Sequence, residues 1–192
     1  AARSGAGRRP AGAQMTDRVR ESAIALLTEW EPPDAGQDAL RHSVLAFLHG
    51  REDSCRRSCV AGHITASALV VSDSADEVLL TLHPRLGRWV QLGGHCEEDD
   101  TGIEAAALRE ATEESGVEGL RIEPNLGAIH VHPVTCSLGV PTRHLDLQFI
   151  ARAPANADIV ISDESLDLRW WPIDELPDGV DAVRPVGDSG GQ

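Results

Sequence analysis

Three glutamates between residues 109 and 117 have the spacing of metal ligands on a helix. This segment reads Arg-Glu-Ala-Thr-Glu-Glu-Ser-Gly-Val and contains Glu110, Glu113 and Glu114. Each helical residue advances by about 100°, so the three carboxylates share one face within one turn. Like charges at this spacing repel one another, and Mg²⁺ or Mn²⁺ is the usual reason for gathering oxygen ligands. The spacing therefore favours a cation site, and a solvated acidic helix face is the alternative.

A predicted helix and a glycine pair position these carboxylates. The helix is predicted from Thr101 to Ser115, and Gly116 is its C-cap. Before it, an extended run ends at Gly93 and Gly94, where the absence of side chains lets the backbone turn sharply or approach a ligand closely. We expect the glycine pair to lie beside the carboxylates.

The remaining pattern predicts an α+β fold. Apolar stripes predict two N-terminal helices, from Asp17 to Trp30 and from Gln37 to Gly50. Extended runs are predicted at 64–73, 77–85, 88–95, 127–135, 143–153 and 168–171. The order of elements indicates a mixed domain preceded by a helical hairpin. The predicted division is a disordered leader (1–14), an N-terminal helical segment (15–60), the main domain (61–183) and a flexible tail (184–192).

The charge and composition of the chain exclude some classes of binding partner. The net charge is −14, from 17 basic and 31 acidic residues, and every basic residue is arginine. Such a field repels nucleic acid and anionic membrane surfaces, so we expect neither as a partner. The four cysteines are too few for a disulfide framework, which predicts free thiols. No run is apolar enough to span a membrane and no apolar signal core is present, so we expect a cytoplasmic protein.

The segment from Gly94 to Val117 resembles the Nudix hydrolase box, Gly-x5-Glu-x7-Arg-Glu-U-x-Glu-Glu-x-Gly-U, in which U is aliphatic. The second half matches position by position, with the small Ala111 at the first U. In the first half Asp100 replaces the glutamate, and eight residues instead of seven separate it from Arg109. An insertion in the loop leaves the register of the three glutamates intact. The resemblance extends over about residues 63 to 180.

This resemblance implies a fold, an activity and a set of site residues. The implied fold is an α/β/α sandwich around a mixed β-sheet, here with an N-terminal helical hairpin. The implied activity is hydrolysis, dependent on Mg²⁺ or Mn²⁺, of a phosphoanhydride in a nucleoside diphosphate linked to another moiety. The implied metal ligands are Gly94, Glu110, Glu113 and Glu114. The catalytic candidates are Glu113 or Glu110 as general base, with Glu164 as the alternative, and Arg109 to orient a carboxylate. The partner of Arg109 is either Glu113, one turn away on the helix, or Asp100 or Glu97 in the preceding loop.

Other residues and functions remain open at this point. Arg85 and Arg88, before the glycine pair, and His95, directly after it, are candidate substrate-binding residues for phosphate. Two alternating sets on separate strands form either a second metal site, a phosphate contact or ordinary hydrogen-bonded pairs; they are His130 with His132 and His144 with Asp146. The alternative function is a non-catalytic sensor that binds a nucleotide metabolite. Isomerase chemistry at Cys96 is a further alternative. The N-terminal helices could cap the site, form a homodimer or cover the surface of the sheet.

Overall fold

The computed structural model describes residues 11–135, 139, 141–162, 165–178 and 180, with residues 11–17 by backbone only. Three helices are present in this part of the chain: α1 (Ala11–Glu29), α2 (Ala35–Gly50) and α3 (Ile103–Ser115). The strands are β1 (His63–Val71), β2 (Glu77–His83), β3 (Arg88–Val90), β4 (Leu92–His95), β5 (Arg121–Thr135), β6 (Pro141–Arg152) and β7 (Leu168–Pro172). Among the described residues, no helix is long and apolar enough to cross a membrane.

The two N-terminal helices pack against the main domain. Helix α1 begins at Ala11 instead of Asp17, so residues 11–14, which the composition placed in a leader, are helical. Ala11, Ala13 and Gln14 have high helix propensities, and the stretch is helical in spite of Gly12. Asp34 caps α2 by accepting a hydrogen bond from the Gln37 N–H at 2.9 Å. The Gln37 side chain then joins α2 to β5 through two hydrogen bonds with the backbone of Ile129.

The strands form one seven-stranded mixed sheet. Its main order is β3-β2-β1-β6-β5, with β4 paired to β1 and β7 paired to β2. The pairing of β1 with β6 is parallel, and the other pairings are antiparallel. The α+β class, the mixed sheet and the N-terminal helical region are therefore confirmed. Strand β5 starts earlier than predicted. Its pairing is irregular between Ile122 and Ala128, which disrupts the alternation of side chains by which a strand is predicted from sequence.

The central strand β1 is buried on both faces. Ile64 and Ala66 point towards α3 and belong to a large apolar core that α1 and α2 also enter. At the far end of the sheet, Leu69 and Val71 belong to a second core. The tandem tryptophans divide between the two, with Trp170 on the first and Trp171 on the second. The face of β1 that points away from α3 therefore carries polar side chains in its first half, at His63, Thr65 and Ser67, and apolar side chains in its second half, at Leu69 and Val71.

Candidate active site

Helix α3 places its glutamates beside the glycine pair of β4. The buried face of the helix consists of small or compact residues, Ile103, Ala106, Ala107, Ala111 and Ser115. These let the helix axis approach β1 and β4 closely. At the edge of this face, the Glu114 carboxylate accepts a hydrogen bond from the Gly93 N–H at 3.1 Å. The glycine pair, which lies within strand β4 and not at a turn, is therefore in direct contact with the carboxylate helix, and the close approach that the sequence predicts is present.

Both glycines are required by lack of space. A Cβ atom on Gly94 would stand 2.7 Å from the carboxylate of Glu110. A Cβ atom on Gly93 would stand 2.5 Å from Cα of Ser67 and 2.7 Å from the carbonyl oxygen of Ala66. The first clash is with the end of a side chain and the second is with backbone. Gly94 thus makes room for the Glu110 carboxylate, whereas Gly93 allows β4 to lie against β1.

Arg109 organises the carboxylates from one side. Its Nε and Nη2 atoms donate to the two oxygens of Asp100 at 2.9 and 3.0 Å, in a bidentate pair. Its Nη1 atom donates at 3.1 Å to both Glu110 and Glu113. Nη2 also donates to the backbone carbonyl of His95 at 2.9 Å. The hydrogen bond with Asp100 is the main reason why the pKa of Arg109 is raised, so the guanidinium stays charged and ties the loop to the helix.

The loop between β4 and α3 absorbs the extra residue of the sequence pattern. Asp100 is 5% exposed and accepts a further hydrogen bond from the Glu97 N–H at 2.7 Å. Gly102 occupies the N-cap position without a capping side chain. The hydroxyl of Ser22 on α1 instead accepts the Ile103 N–H at 2.7 Å. The departure from the usual spacing therefore leaves the helix in register, and Asp100 acts as the anchor of Arg109.

The three glutamates differ in their access to solvent. The Glu113 side chain is 61% exposed, whereas that of Glu110 is 13% exposed. The helix ends just beyond them because Gly116 has a left-handed φ of 66° and its N–H bonds to the Thr112 carbonyl. Oxygen ligands arranged in this way suit a hard divalent cation.

The comparison with protein families identifies this arrangement. The NUDIX domain model matches residues 62–187. The chain belongs to the Nudix family. A comparison with curated proteins finds no significant match.

Solved structures with a similar fold include three hydrolases. A Caenorhabditis elegans Ap4A hydrolase in a binary complex is 20% identical, with 58% of this chain and 80% of that chain covered and a TM-score of 0.45. A Nudix-family hydrolase from Clostridium perfringens is 26% identical, with coverages of 57% and 81% and a TM-score of 0.45. A MutT Nudix hydrolase from Burkholderia pseudomallei is 24% identical, with coverages of 64% and 92% and a TM-score of 0.47.

The other candidate residues are two arginines before the glycine pair and one later glutamate. Arg85 and Arg88 are exposed in and after the turn that joins β2 to β3. The Arg85 N–H donates to Nδ1 of His83, and the charge of Arg88 contributes to lowering the pKa of His132. Glu164, the alternative general base, lies outside the described residues.

Cys55, Cys59 and Cys96 are buried free thiols, as expected, and Cys136 lies outside the described residues. The Cys96 thiol donates to the Ile64 carbonyl at 3.8 Å, which makes it part of the packed core and weighs against the isomerase alternative.

Strands β5 and β6 pair as the second candidate site requires, and the pairing places its four residues on one face of the sheet, with the rings of His132 and His144 5.4 Å apart. His130 lies opposite Asp146, and His132 lies opposite His144. Asp146 is held by hydroxyl hydrogen bonds from Thr65 at 2.8 Å and Ser67 at 2.6 Å. The aspartate therefore belongs to a buried hydrogen-bond network between β1 and β6.

His144 instead joins two histidines that the sequence analysis did not connect. Its ring centroid is 4.9 Å from those of His63 and His95, which are 5.0 Å apart. Burial lowers the pKa of His95 to about 3 and that of His144 to about 4, and it also lowers the pKa of His63. The backbone of Cys59 opposes part of the shift at His63. Only the parallel register of β1 with β6 brings His63 to His144, and no local pattern reveals that register.

Proposed function

We propose that this Nudix protein is a Mg²⁺-dependent hydrolase that cleaves a phosphoanhydride bond in a nucleoside diphosphate linked to another moiety. The observation that carries the proposal is the contact of the α3 carboxylates with the glycine pair, in which Glu114 accepts the Gly93 N–H and Glu110 lies where a side chain on residue 94 would stand. Like charges at this spacing repel one another, and a divalent cation would relieve the repulsion that the single charge of Arg109 leaves.

The residues at this place fit Mg²⁺ or Mn²⁺. The donor set consists of carboxylate oxygens from Glu110, Glu113 and Glu114 together with the backbone carbonyl of Gly94, and hard cations prefer oxygen ligands. The missing side chain of Gly94 keeps the approach to Glu110 clear. In the proposed site these four groups hold the cation, which when bound neutralises the phosphate oxygens and increases the acidity of water.

The protein side chains then have separate tasks. Arg109 holds Glu110 and Glu113 by one donor atom and is itself fixed by Asp100, so it acts as a positioning residue. We assign the proton-accepting role to Glu113, because its carboxylate is the most accessible to an incoming water, with Glu110 as the alternative. Glu164 keeps its place as a second alternative.

The substrate is proposed to be a small nucleotide-type anion. With a net charge of −14, the chain needs local positive charge to admit it, and the exposed Arg85 and Arg88 are the proposed phosphate contacts. His95 was a third candidate, but its ring lies in the histidine cluster, so we retain only the two arginines. The cytoplasmic location, the homodimer and the domain limits at residues 61 and 183 remain predictions from the sequence.

Phosphate release from a panel of compounds tests the proposal. The panel contains nucleoside triphosphates, nucleotide sugars, dinucleotides and dinucleoside polyphosphates, each with Mg²⁺ and with Mn²⁺. We expect turnover of at least one diphosphate-linked compound, and a loss of about 10²–10⁴-fold in kcat for Glu113→Gln, as for the removal of a general base. Glu114→Gln should reduce activity in a way that added metal partly restores. Glu118→Gln is the matched control, because Glu118 is an exposed glutamate just beyond the helix.

Two results would contradict the proposal. If the wild type turns over nothing but binds a nucleotide tightly, the protein is a sensor. If both glutamine variants keep the activity of Glu118→Gln, the metal site has been placed on the wrong residues. Arg85→Ala and Arg88→Ala should raise KM and leave kcat nearly unchanged, since they are proposed to hold phosphate away from the bond that breaks.

A further inference from the structure

Three histidines from three strands meet on the face of the sheet that points away from α3. His63 and His144 are direct partners in the parallel register of β1 and β6. His95 lies opposite Thr65, the next residue of β1 on the same face as His63. Each histidine offers a ring nitrogen within 4.8 Å of the nitrogens of the other two.

Four of the six ring nitrogens of these histidines are buried without a hydrogen bond of good geometry. His63 is 1% exposed, and neither of its ring nitrogens makes a hydrogen bond of good geometry. The Nε2 atoms of His95 and His144 are likewise buried without a hydrogen-bond partner. Buried polar atoms nearly always have a partner, so several orphaned nitrogens around one point indicate that a ligand is accommodated there.

We propose that His63, His95 and His144 bind a divalent transition-metal ion of the Zn²⁺ type. Imidazole nitrogen suits zinc and its neighbours, whereas Mg²⁺ selects oxygen. Zinc–nitrogen bonds of about 2.0–2.1 Å in a tetrahedron set ligand nitrogens roughly 3.3 Å apart, so small rotations of the rings bring the three nitrogens to bonding distance. Three protein ligands leave a fourth position for water or another donor.

This site is separate from the carboxylate site although the two adjoin along the chain. A Cβ atom on residue 94 would point at Glu110 and therefore towards α3. His95 is the next residue of β4, and successive residues of a strand point to opposite faces. One strand thus presents an oxygen site on one side and a nitrogen site on the other. An ion held by the three histidines would tie β1, β4 and β6 together at this end of the sheet.

Arg57 carries a positive charge that opposes a cation at this site, so its replacement gives a specific test. The charge of Arg57 acts on all three histidines and contributes to lowering the pKa of each. Repulsion between this guanidinium and the ion should weaken binding. Arg57→Gln should therefore bind the metal more tightly than the wild type, an effect that a purely structural role of the histidines would not produce.

Titration with Zn²⁺ and Co²⁺ in excess Mg²⁺ tests the proposal on the full chain after removal of metals by a chelator. Excess Mg²⁺ occupies the carboxylate site. We expect one Zn²⁺ per chain by calorimetry, and a visible absorption spectrum characteristic of tetrahedral Co²⁺. His63→Gln, His95→Gln and His144→Gln should each weaken binding by at least the roughly 10–100-fold that follows loss of a residue that only hydrogen-bonds to a metal ligand. His49→Gln is the control, because His49 is exposed on α2.

Thermal unfolding with and without Zn²⁺ keeps the test decisive if one variant folds poorly. Zn²⁺ should raise the Tm of the wild type and of His49→Gln, and it should not raise that of folded His95→Gln or His144→Gln. Equal binding by the wild type and by all three glutamine variants would overturn the proposal, as would the absence of a stoichiometric site in the wild type. Glu113→Gln should keep the Co²⁺ spectrum, so the outcome does not depend on the hydrolase proposal.

Discussion

Replacement of Asp100 by asparagine should destabilise the fold far more than the same change at the neighbouring Asp99. The Asp100 side chain is 4% exposed and accepts both arms of the Arg109 guanidinium. Asp99 is exposed. Both substitutions remove one negative charge at almost constant volume, so the difference between them isolates the buried pair.

The magnitude follows from the hydrogen bonds that an amide cannot accept. If the side-chain oxygen of the asparagine keeps the bond from Nε of Arg109, its NH₂ group takes the place of the oxygen that accepts from Nη2 of Arg109 and from the Glu97 N–H. Hydrogen bonds to charged groups contribute about 1.5–3 kcal/mol each. Arg109 keeps its contacts with Glu110, Glu113 and the His95 carbonyl, which offset part of the loss. We expect about 2–4 kcal/mol, close to the lower end of the roughly 3–5 kcal/mol found when one partner of a buried pair is removed.

Denaturant unfolding at neutral pH measures this difference. Asp100→Asn should lower the free energy of unfolding by about 2–4 kcal/mol, and Tm by roughly 5–15 °C for a chain of this size. Asp99→Asn should change the free energy by less than about 0.5 kcal/mol, as surface substitutions usually do. If both variants unfold at the wild-type midpoint, the pair with Arg109 does not anchor the inserted loop. A loss of equal size in both variants would instead point to general charge repulsion.

Three contacts outside the carboxylate cluster give further predictions. Gln37→Ala removes both hydrogen bonds to the backbone of Ile129 and should cost about 1–3 kcal/mol in denaturant unfolding, with loss of contact between α2 and the sheet. Ser22→Ala removes the only described side-chain acceptor at the start of α3 and should cost about 1 kcal/mol, measured in the same way. Gly116→Ala should cost about 1–3 kcal/mol in calorimetric unfolding, because φ is 66° and a Cβ would stand 2.7 Å from that of Val160.

The carboxylate helix could be predicted from the sequence because its information is local. The spacing of Glu110, Glu113 and Glu114, and a glycine directly after the helix, depend only on helix geometry. The roles of Asp100 and Arg109 were harder to predict, because the irregular spacing between them left several partners open for the arginine. Only the folded loop selects Asp100, with Ser22 of α1 supplying the cap that the loop lacks.

The histidine cluster could not be predicted because its information lies in the pairing of distant strands. His63 and His144 are separated by much of the chain and meet through a parallel register that hydrophobic alternation does not specify. The sequence placed His144 with His132, which is correct for neighbouring strands and insufficient for the site. A register shifted by one residue would send His63 to the apolar face with Ile64 in its place.

Gly93→Ala and Gly94→Ala should differ in which of the two proposed metal sites on β4 they disturb. The nearest atoms to a Cβ on residue 94 are those of the Glu110 carboxylate, so Gly94→Ala should displace this glutamate, weaken Mg²⁺ binding and leave the Co²⁺ spectrum unchanged. A Cβ on residue 93 meets the Ser67 and Ala66 backbone, which cannot move aside without parting β4 from β1. Gly93→Ala should therefore shift Gly94 away from Glu110 and His95 away from His63 together. It should also lower the free energy of unfolding by about 1–3 kcal/mol or more, as overpacking does.

Activity, Co²⁺ absorption and denaturant unfolding of the two variants test this difference. Loss of both cation sites in Gly93→Ala, with loss of only the carboxylate site in Gly94→Ala, would mean that the position of β4 against β1 sets both sites. A Gly93→Ala variant that keeps either site at wild-type strength would contradict this conclusion, because a displaced β4 should disturb the residues on both of its faces.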